Sequence, residues 1–283
     1  MVEMGRYFVN HSRCLIMQGR LAEAPNNDDL DWFPADNWLE EFDLARNLGI
    51  SSIELVFDRG YISSNPLRTK LGRDKLRKEF VRTDLIPYSC CLNFIIDNPI
   101  QNNNVFASCV ESIKFLNEVG IRFAILPLFN KSEFKNSNIA NEISKLAKVA
   151  ENYNIKILIE SNERASSVLN FLDYISSTNV GVTYDVGNAS FCGHNVKNEL
   201  FLLREKLAHI HIKDKSLSGN NVPLGSGMVN FSKVFKSISK LKYKGMFTLE
   251  TCKGENSLIS AKKNLQFMHE HLTSFGLETD YKL

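Results

Sequence analysis

The sequence predicts an α/β chain folded as one closed (β/α)8 barrel, on three observations. Eight short, apolar, strand-like stretches alternate with amphipathic helical stretches along the 283 residues. That alternation implies a parallel sheet covered by helices. The strand-then-helix units recur at about 35 residues each, the size of one barrel repeat. No linker or low-complexity tract marks a boundary, so residues 1–283 read as a single domain. Eight unbroken units favour closure over an open, doubly wound sheet.

Residues 15–18 read as the first strand, followed by a loop over 19–33 that carries Gly19-Arg20-Leu21 and Trp32-Phe33-Pro34. Asp36 stands as an N-cap before Trp38, Leu39, Phe42, Ala45 and Leu48, which share one helical face, and Gly49 ends that helix. The second strand covers 52–57; a loop through Asn65-Pro66 leads to a charged helix over 68–84. Strands then fall at 86–93, at 123–126 (ending before Pro127) and at 155–160, with helices at 105–119, 138–153 and 166–177. A strand at 180–185 leads through a glycine-containing loop to a helix near 198–206. The seventh strand covers 209–213 and is followed by a helix over 231–241; the eighth strand, 246–250, precedes a helix over 257–272. Residues 276–283 read as a loose tail.

Composition narrows the class. Hydrophobic residues make up 43% and charged residues 23%, as in a soluble globular protein. A net charge of +2, from 34 basic and 32 acidic residues, lacks the basic stripe of a nucleic-acid surface. No apolar run reaches membrane-spanning length and the N-terminus lacks a signal-peptide layout, so no membrane partner is expected and the cytoplasm is the default. The six cysteines form no CxxC pair and read as reduced thiols, several of them in the core.

The chemistry gathers at four strand ends. In Ala208-His209-Ile210-His211-Ile212-Lys213-Asp214 the alternation puts His209, His211 and Lys213 on one face. The fifth strand ends in Glu160, the sixth in Asp185 of Asp185-Val186-Gly187-Asn188, and the eighth in Glu250. A parallel barrel carries its active site at the C-terminal ends of its strands. Taken singly, each carboxylate reads as a loop cap or rim ion pair. Three of them converging with an imidazole repel unless a cation sits among them. One divalent metal ion resolves this, and three oxygens with one nitrogen suit Mn, Co, Mg or Zn. His209, one layer deeper, reads as a hydrogen-bonded core histidine. His194 reads as a loop residue, and His11, His269 and His271 as exposed or helix-face residues.

The series Glu160, Asp185-Val186-Gly187-Asn188, His211-Ile212-Lys213-Asp214 and Leu249-Glu250 resembles the xylose isomerase-like TIM-barrel superfamily. Within it the likeness is to sugar phosphate isomerases and epimerases, such as hexulose-phosphate and ketose 3-epimerases. Val222-Pro223-Leu224-Gly225-Ser226-Gly227, with Asn230-Phe231 after it, is similar to that family's glycine loop. The likeness spans nearly the whole chain. It implies Glu160, Asp185, His211 and Glu250 as ligands of one metal. Endonuclease IV-like relatives carry a histidine where this chain has Asn188, and with the near-neutral charge this departure argues against a multi-zinc nuclease.

The resemblance implies a metal-dependent sugar or sugar-phosphate epimerase or isomerase that moves a proton next to a carbonyl through a metal-stabilised enediolate. Glu160 and Glu250 would be its acid–base pair. Lys213 and Lys253, just past ligand-bearing strand ends, read either as surface lysines or as contacts for a hydroxyl-rich or anionic substrate, and Asn188 is a further candidate contact. Arg20 and Phe33, with Trp32, either line that pocket or pack the long first loop. An inosose dehydratase-like lyase is the alternative, and a metal-dependent nuclease a weaker one. The partner expected is a small sugar or sugar phosphate, with a homo-oligomer compatible with the superfamily.

Overall fold

In the computed structural model, described over residues 13–23, 32–129 and 137–277, eight parallel strands close into a barrel. They are β1 (Cys14–Met17), β2 (Ser52–Phe57), β3 (Ser89–Leu92), β4 (Phe123–Pro127), β5 (Lys156–Glu160), β6 (Val180–Asp185), β7 (Leu207–Ile212) and β10 (Phe247–Leu249). A small antiparallel ribbon, β8 (Asp214–Lys215) with β9 (Asn221–Val222), rises after β7. Around the barrel the order is β1-β10-β7-β6-β5-β4-β3-β2, so the first and last strands meet, with Cys14 registered to Phe247 and Ile16 to Leu249. The (β/α)8 architecture expected from the sequence is the one observed.

The outer layer comprises α1 (Glu40–Asn47), α2 (Lys70–Thr83), α3 (Asn103–Val119), α4 (Ser137–Glu151) and α5 (Ala165–Asp173), then α6 (Val186–Phe191), α7 (Val196–Leu203), α8 (Phe231–Lys240) and α9 (Ser257–Ser274). Their apolar stripes pack on the strands through residues such as Phe42, Leu76, Phe80, Leu116, Leu146, Phe235 and Met268. Covered by helices outside and filled inside, the strands are buried on both faces; all six residues of β2 are buried. The interior is stratified. Leu15, Ile86, Tyr88 and Met246 form a small apolar cluster toward the N-terminal ends of the strands. Above it lies a polar layer of Glu54, Ser89, His209, His211 and Thr248, none of which has exposed surface.

Arg13 staples the seam between the first and last strands. It is buried and donates to the carbonyls of Tyr243 (2.8 Å), Gly245 (3.0 Å) and Leu277 (3.2 Å), with its guanidinium 5.0 Å from the Phe247 ring centroid.

Several boundaries differ from the sequence reading. Asp36 does not cap α1, which begins at Glu40 after a run of turns and has no side-chain cap. β3 starts at Ser89 rather than 86, since Pro87 has no N–H to offer a ladder. Pro127 lies within β4 as its last residue, registered to Glu160. The stretch after Asp185, expected as a loop, is the short helix α6, and the next helix, α7, starts at Val196 behind the cap Asn195 rather than near 198. β7 begins at Leu207 and β10 ends at Leu249, so Lys213 and Glu250 stand just beyond their strands. Leu277 is packed and donates to the Leu272 carbonyl (2.8 Å), so the start of the expected loose tail is anchored. His11, residues 24–31 of the first loop and residues 278–283 lie outside the described residues. Cys14, Cys90, Cys91 and Cys109 are buried free thiols, while Cys192 is exposed. No helix among the described residues is long and apolar enough to cross a membrane.

Candidate active site

Each of the four strand-end residues owes its place to a neighbouring element. Glu160 closes β5, where its carbonyl accepts from Leu128 N–H (2.8 Å). Asp185 closes β6 and caps α6, its Oδ1 accepting from Asn188 N–H (2.7 Å), which turns Oδ2 inward. His211 is registered between Asp185 of β6 and Thr248 of β10. Glu250 keeps the ladder beyond β10 by donating its N–H to the Ile212 carbonyl (3.1 Å). One ligand atom from each of the four lies within 4.8 Å of all the others.

A lysine shares this space. Lys213 Nζ stands 2.8 Å from Glu250 Oε1 and 3.1 Å from Asp185 Oδ2, and the side chain is almost wholly buried. His211 Nδ1 lies 3.1 Å from Glu250 Oε2 and 3.5 Å from Glu160 Oε1. The carboxylates that the sequence brings together are thus partly balanced by the Lys213 ammonium and by His211, which the surrounding carboxylates hold toward its protonated form although burial opposes the charge. Gly187 makes room for that arrangement: a Cβ there would lie 2.8 Å from the Lys213 carbonyl oxygen.

The charge states follow from burial and these contacts. Burial pushes Glu160 up, partly offset by His211. Asp185 is also raised by burial, with Lys213 pulling the other way. For Glu250 burial is outweighed by Lys213 and His211, which hold its carboxyl well below the usual range. Burial opposes the charge on Lys213, but Asp185 and Glu250 outweigh it and keep the ammonium charged.

Beneath the quartet is a carboxylate that the sequence reading missed. Glu54 of β2 has Oε1 2.9 Å from His211 Nε2 and Oε2 2.9 Å from His209 Nε2. Oε2 also accepts from Ser89 Oγ (2.6 Å) and Thr248 Oγ1 (3.0 Å). Burial alone would raise Glu54, but the two histidines outweigh it and hold the group well below the usual carboxylate range. Its signal in the sequence was one charged residue inside the wholly apolar run Ile53-Glu54-Leu55-Val56. His209, read as a hydrogen-bonded core histidine, is fully buried between Glu54 and Thr248 Oγ1 (2.8 Å).

The expected substrate contacts divide. Lys213 is inside the quartet, and Asn188 is half-buried one turn above Asp185 on α6. Lys253 is buried, its Nζ 5.0 Å from the Trp32 ring centroid. Arg20 is buried on the first loop beside Met17 Sδ (3.9 Å), and Phe33 is packed in the hydrophobic core. The two loops meet where Ser257 N–H donates to Glu23 (3.0 Å) and Ser257 Oγ to the Ala22 carbonyl (3.0 Å). His194 is half-buried after α6 and stands apart from the quartet.

Beside the mouth, Asp214 organises the loop that follows β7. Fully buried, it accepts from the N–H groups of Lys215 (2.9 Å), Gly225 (3.0 Å), Gly227 (2.8 Å) and Val229 (3.1 Å). Gly225 has φ +83°, and a Cβ on Gly227 would lie 2.3 Å from Asp214 Oδ1, so both positions require glycine.

The residues fit a hard divalent cation. Asp185 Oδ2, Glu250 Oε2 and His211 Nδ1 are buried and engage in no hydrogen bond, and three oxygens with one nitrogen form the donor set.

Known proteins share this framework. The family model described as xylose isomerase-like TIM barrel matches residues 42–271. Over 152 residues the chain is 26% identical to the uncharacterized protein MJ1311 of Methanocaldococcus jannaschii, a match that covers 50% of each chain. It is 24% identical over 233 residues to the L-ribulose-5-phosphate 3-epimerase UlaE of Escherichia coli, covering 75% of this chain and 81% of UlaE. Among solved structures, an L-ribulose 3-epimerase superposes with TM-score 0.75 at 15% identity, covering 95% of this chain and 99% of that one. The IolI protein with a bound zinc atom does so with TM-score 0.73 at 13% identity, covering 93% and 98%.

Proposed function

The chain belongs to the xylose isomerase-like TIM-barrel family, and on that premise we propose that it is a divalent-metal-dependent epimerase or isomerase of a sugar or sugar phosphate. The observation that carries this reading is the buried quartet of Glu160, Asp185, His211 and Glu250 at the C-terminal mouth of the barrel. Its relatives' names support the reaction class: UlaE is an L-ribulose-5-phosphate 3-epimerase, and one structural neighbour is an L-ribulose 3-epimerase.

Glu160, Asp185, His211 and Glu250 would hold the cation. When bound, it supplies Lewis-acid polarisation of the substrate carbonyl and an adjacent hydroxyl. The chain's own groups move the proton. One of Glu160 and Glu250 removes the proton from the carbon next to the carbonyl, and the C–H electron pair passes into an enediolate. The other glutamate returns a proton to the opposite face, and the two exchange roles when the reaction reverses. Asp185 and His211 act as ligands. The Lys213 ammonium, fixed between Asp185 and Glu250, can donate to a substrate oxygen entering the site. Asn188 on α6 would add a polar contact, while Arg20, Phe33 and Lys253 are buried in or behind the first loop and would act on the substrate only through it. No observation on the described residues favours the dehydratase or nuclease alternative.

The test is solvent deuterium uptake at C3 of L-ribulose 5-phosphate and of free ketoses by the Mn²⁺-loaded protein. We expect uptake together with the C3 epimer, a fall of about 10²–10⁴-fold in Glu160→Gln and Glu250→Gln, and loss of bound metal in Asp185→Ala. Uptake that survives in both glutamine variants would remove them as the acid–base pair.

A further inference from the structure

We infer that Glu54 is a positioning residue for the metal centre, fixing His211 so that Nδ1 alone faces the cation; the inference rests on the metal reading proposed above. Glu54 lies on β2, across the barrel from β7, and touches no substrate-accessible surface. Its two oxygens have separate tasks. Oε2 is held by Ser89 Oγ (2.6 Å), Thr248 Oγ1 (3.0 Å) and His209 Nε2 (2.9 Å), groups from three different strands. With that oxygen held from three sides the carboxylate cannot swivel, and Oε1 is aimed at His211 Nε2 (2.9 Å), with Cys91 Sγ at 3.6 Å.

An ionised carboxylate only accepts hydrogen bonds, so the ring nitrogen facing it carries the hydrogen. With a cation bound, His211 Nε2 would keep its hydrogen toward Glu54, and Nδ1 would be the nitrogen that offers a lone pair. Nδ1 is also the one turned toward the quartet, 3.1 Å from Glu250 Oε2 and 3.5 Å from Glu160 Oε1. His209 packs edge-on against His211, ring centroids 5.3 Å apart, and blocks rotation of that ring. A carboxylate behind a ligating histidine orients the ring and raises its basicity, and removing such partners typically weakens metal binding by about 10–100-fold. Glu54 also places a fourth carboxylate beneath the other three, a crowding that His211 and Lys213 offset in part and a bound cation would relieve further.

The deciding experiment combines two readouts on the full chain. In protein labelled with ¹⁵N-histidine and loaded with Zn²⁺, with His211 assigned through its loss in His211→Gln, Nε2 should be protonated and Nδ1 metal-bound. Calorimetric titration with Mn²⁺ should then give an affinity about 10–100-fold weaker in Glu54→Ala. Glu54→Gln, which can still accept from Nε2 but has lost the charge, should fall between the two. Metal bound through Nε2 in the wild-type protein would overturn the inference, and so would wild-type affinity in a folded Glu54 variant. If Glu54→Ala fails to fold, the wild-type spectrum and Glu54→Gln decide. Should the wild-type protein take up no metal at all, the proposed metal centre falls and Glu54's role with it. Normal binding by wild type and variants alike removes only the role of Glu54.

Discussion

Glu41 gives its carboxylate to the amides of Gly19 (2.9 and 3.0 Å) and Leu21 (3.0 Å), shaping the loop after β1. Burial nevertheless pushes its pKa from the usual 4.5 to about 7, with those amides pulling it back only in part. The folded protein thus holds this proton more tightly than the unfolded chain does. Its contribution is complete below about pH 4.5 and is lost as pH rises through about 7, a change on the order of 3 kcal/mol. Urea unfolding of the metal-free protein should show stability falling across that window. Glu41→Gln should lose that slope, and an unchanged slope would mean that another group sets it. The quartet itself was legible at this scale, because Glu160, Asp185 and Glu250 each follow an apolar strand and His211 alternates with isoleucines. Lys213 was legible as a face-mate of His211 but not as the cation between Asp185 and Glu250, since a long side chain can fold back or point out. Glu54 was not legible as a functional residue, because its partners His209 and Thr248 come from strands that only closure brings to β2.

Among the elements, the segment after β7 shows how one side chain can hold a loop. Asp214 satisfies four backbone N–H groups there, and three of them lie eleven or more residues further along the chain. Asp214→Ala should leave those donors without their acceptor and cost on the order of 3 kcal/mol. It should also open residues 215–229 to limited proteolysis before the rest of the barrel is cut. Resistance equal to wild type would mean that the β8–β9 ribbon holds the loop unaided. Regular elements were readable where their periods ran long, as in α3, α4 and α9. The short ones were hidden: α6 has six residues and the ribbon strands two each, too few for a helical or alternating pattern to declare itself. What reveals α6 is Asp185 acting as both cap and candidate ligand, two roles that compete for one side chain and leave only Oδ2 for the site.

At the scale of the whole molecule, closure depends on the join between β1 and β10, where Arg13 gathers three carbonyls in the interior. Arg13→Met keeps much of the apolar stem but strands those acceptors, and should lower the unfolding free energy by on the order of 3 kcal/mol. An unchanged urea midpoint would show that strand pairing alone secures the join. The contact from Arg13 to Leu277 spans 264 residues of chain, nearly all of it. During synthesis, then, the opening strand emerges long before its neighbour exists, and the polar interior is exposed while Glu54 waits for Thr248. Helix–strand units can form as they appear, but the ring has no partial version that satisfies its own centre. The join between the first and last strands can therefore form only after the last strand and the helix behind it have been made.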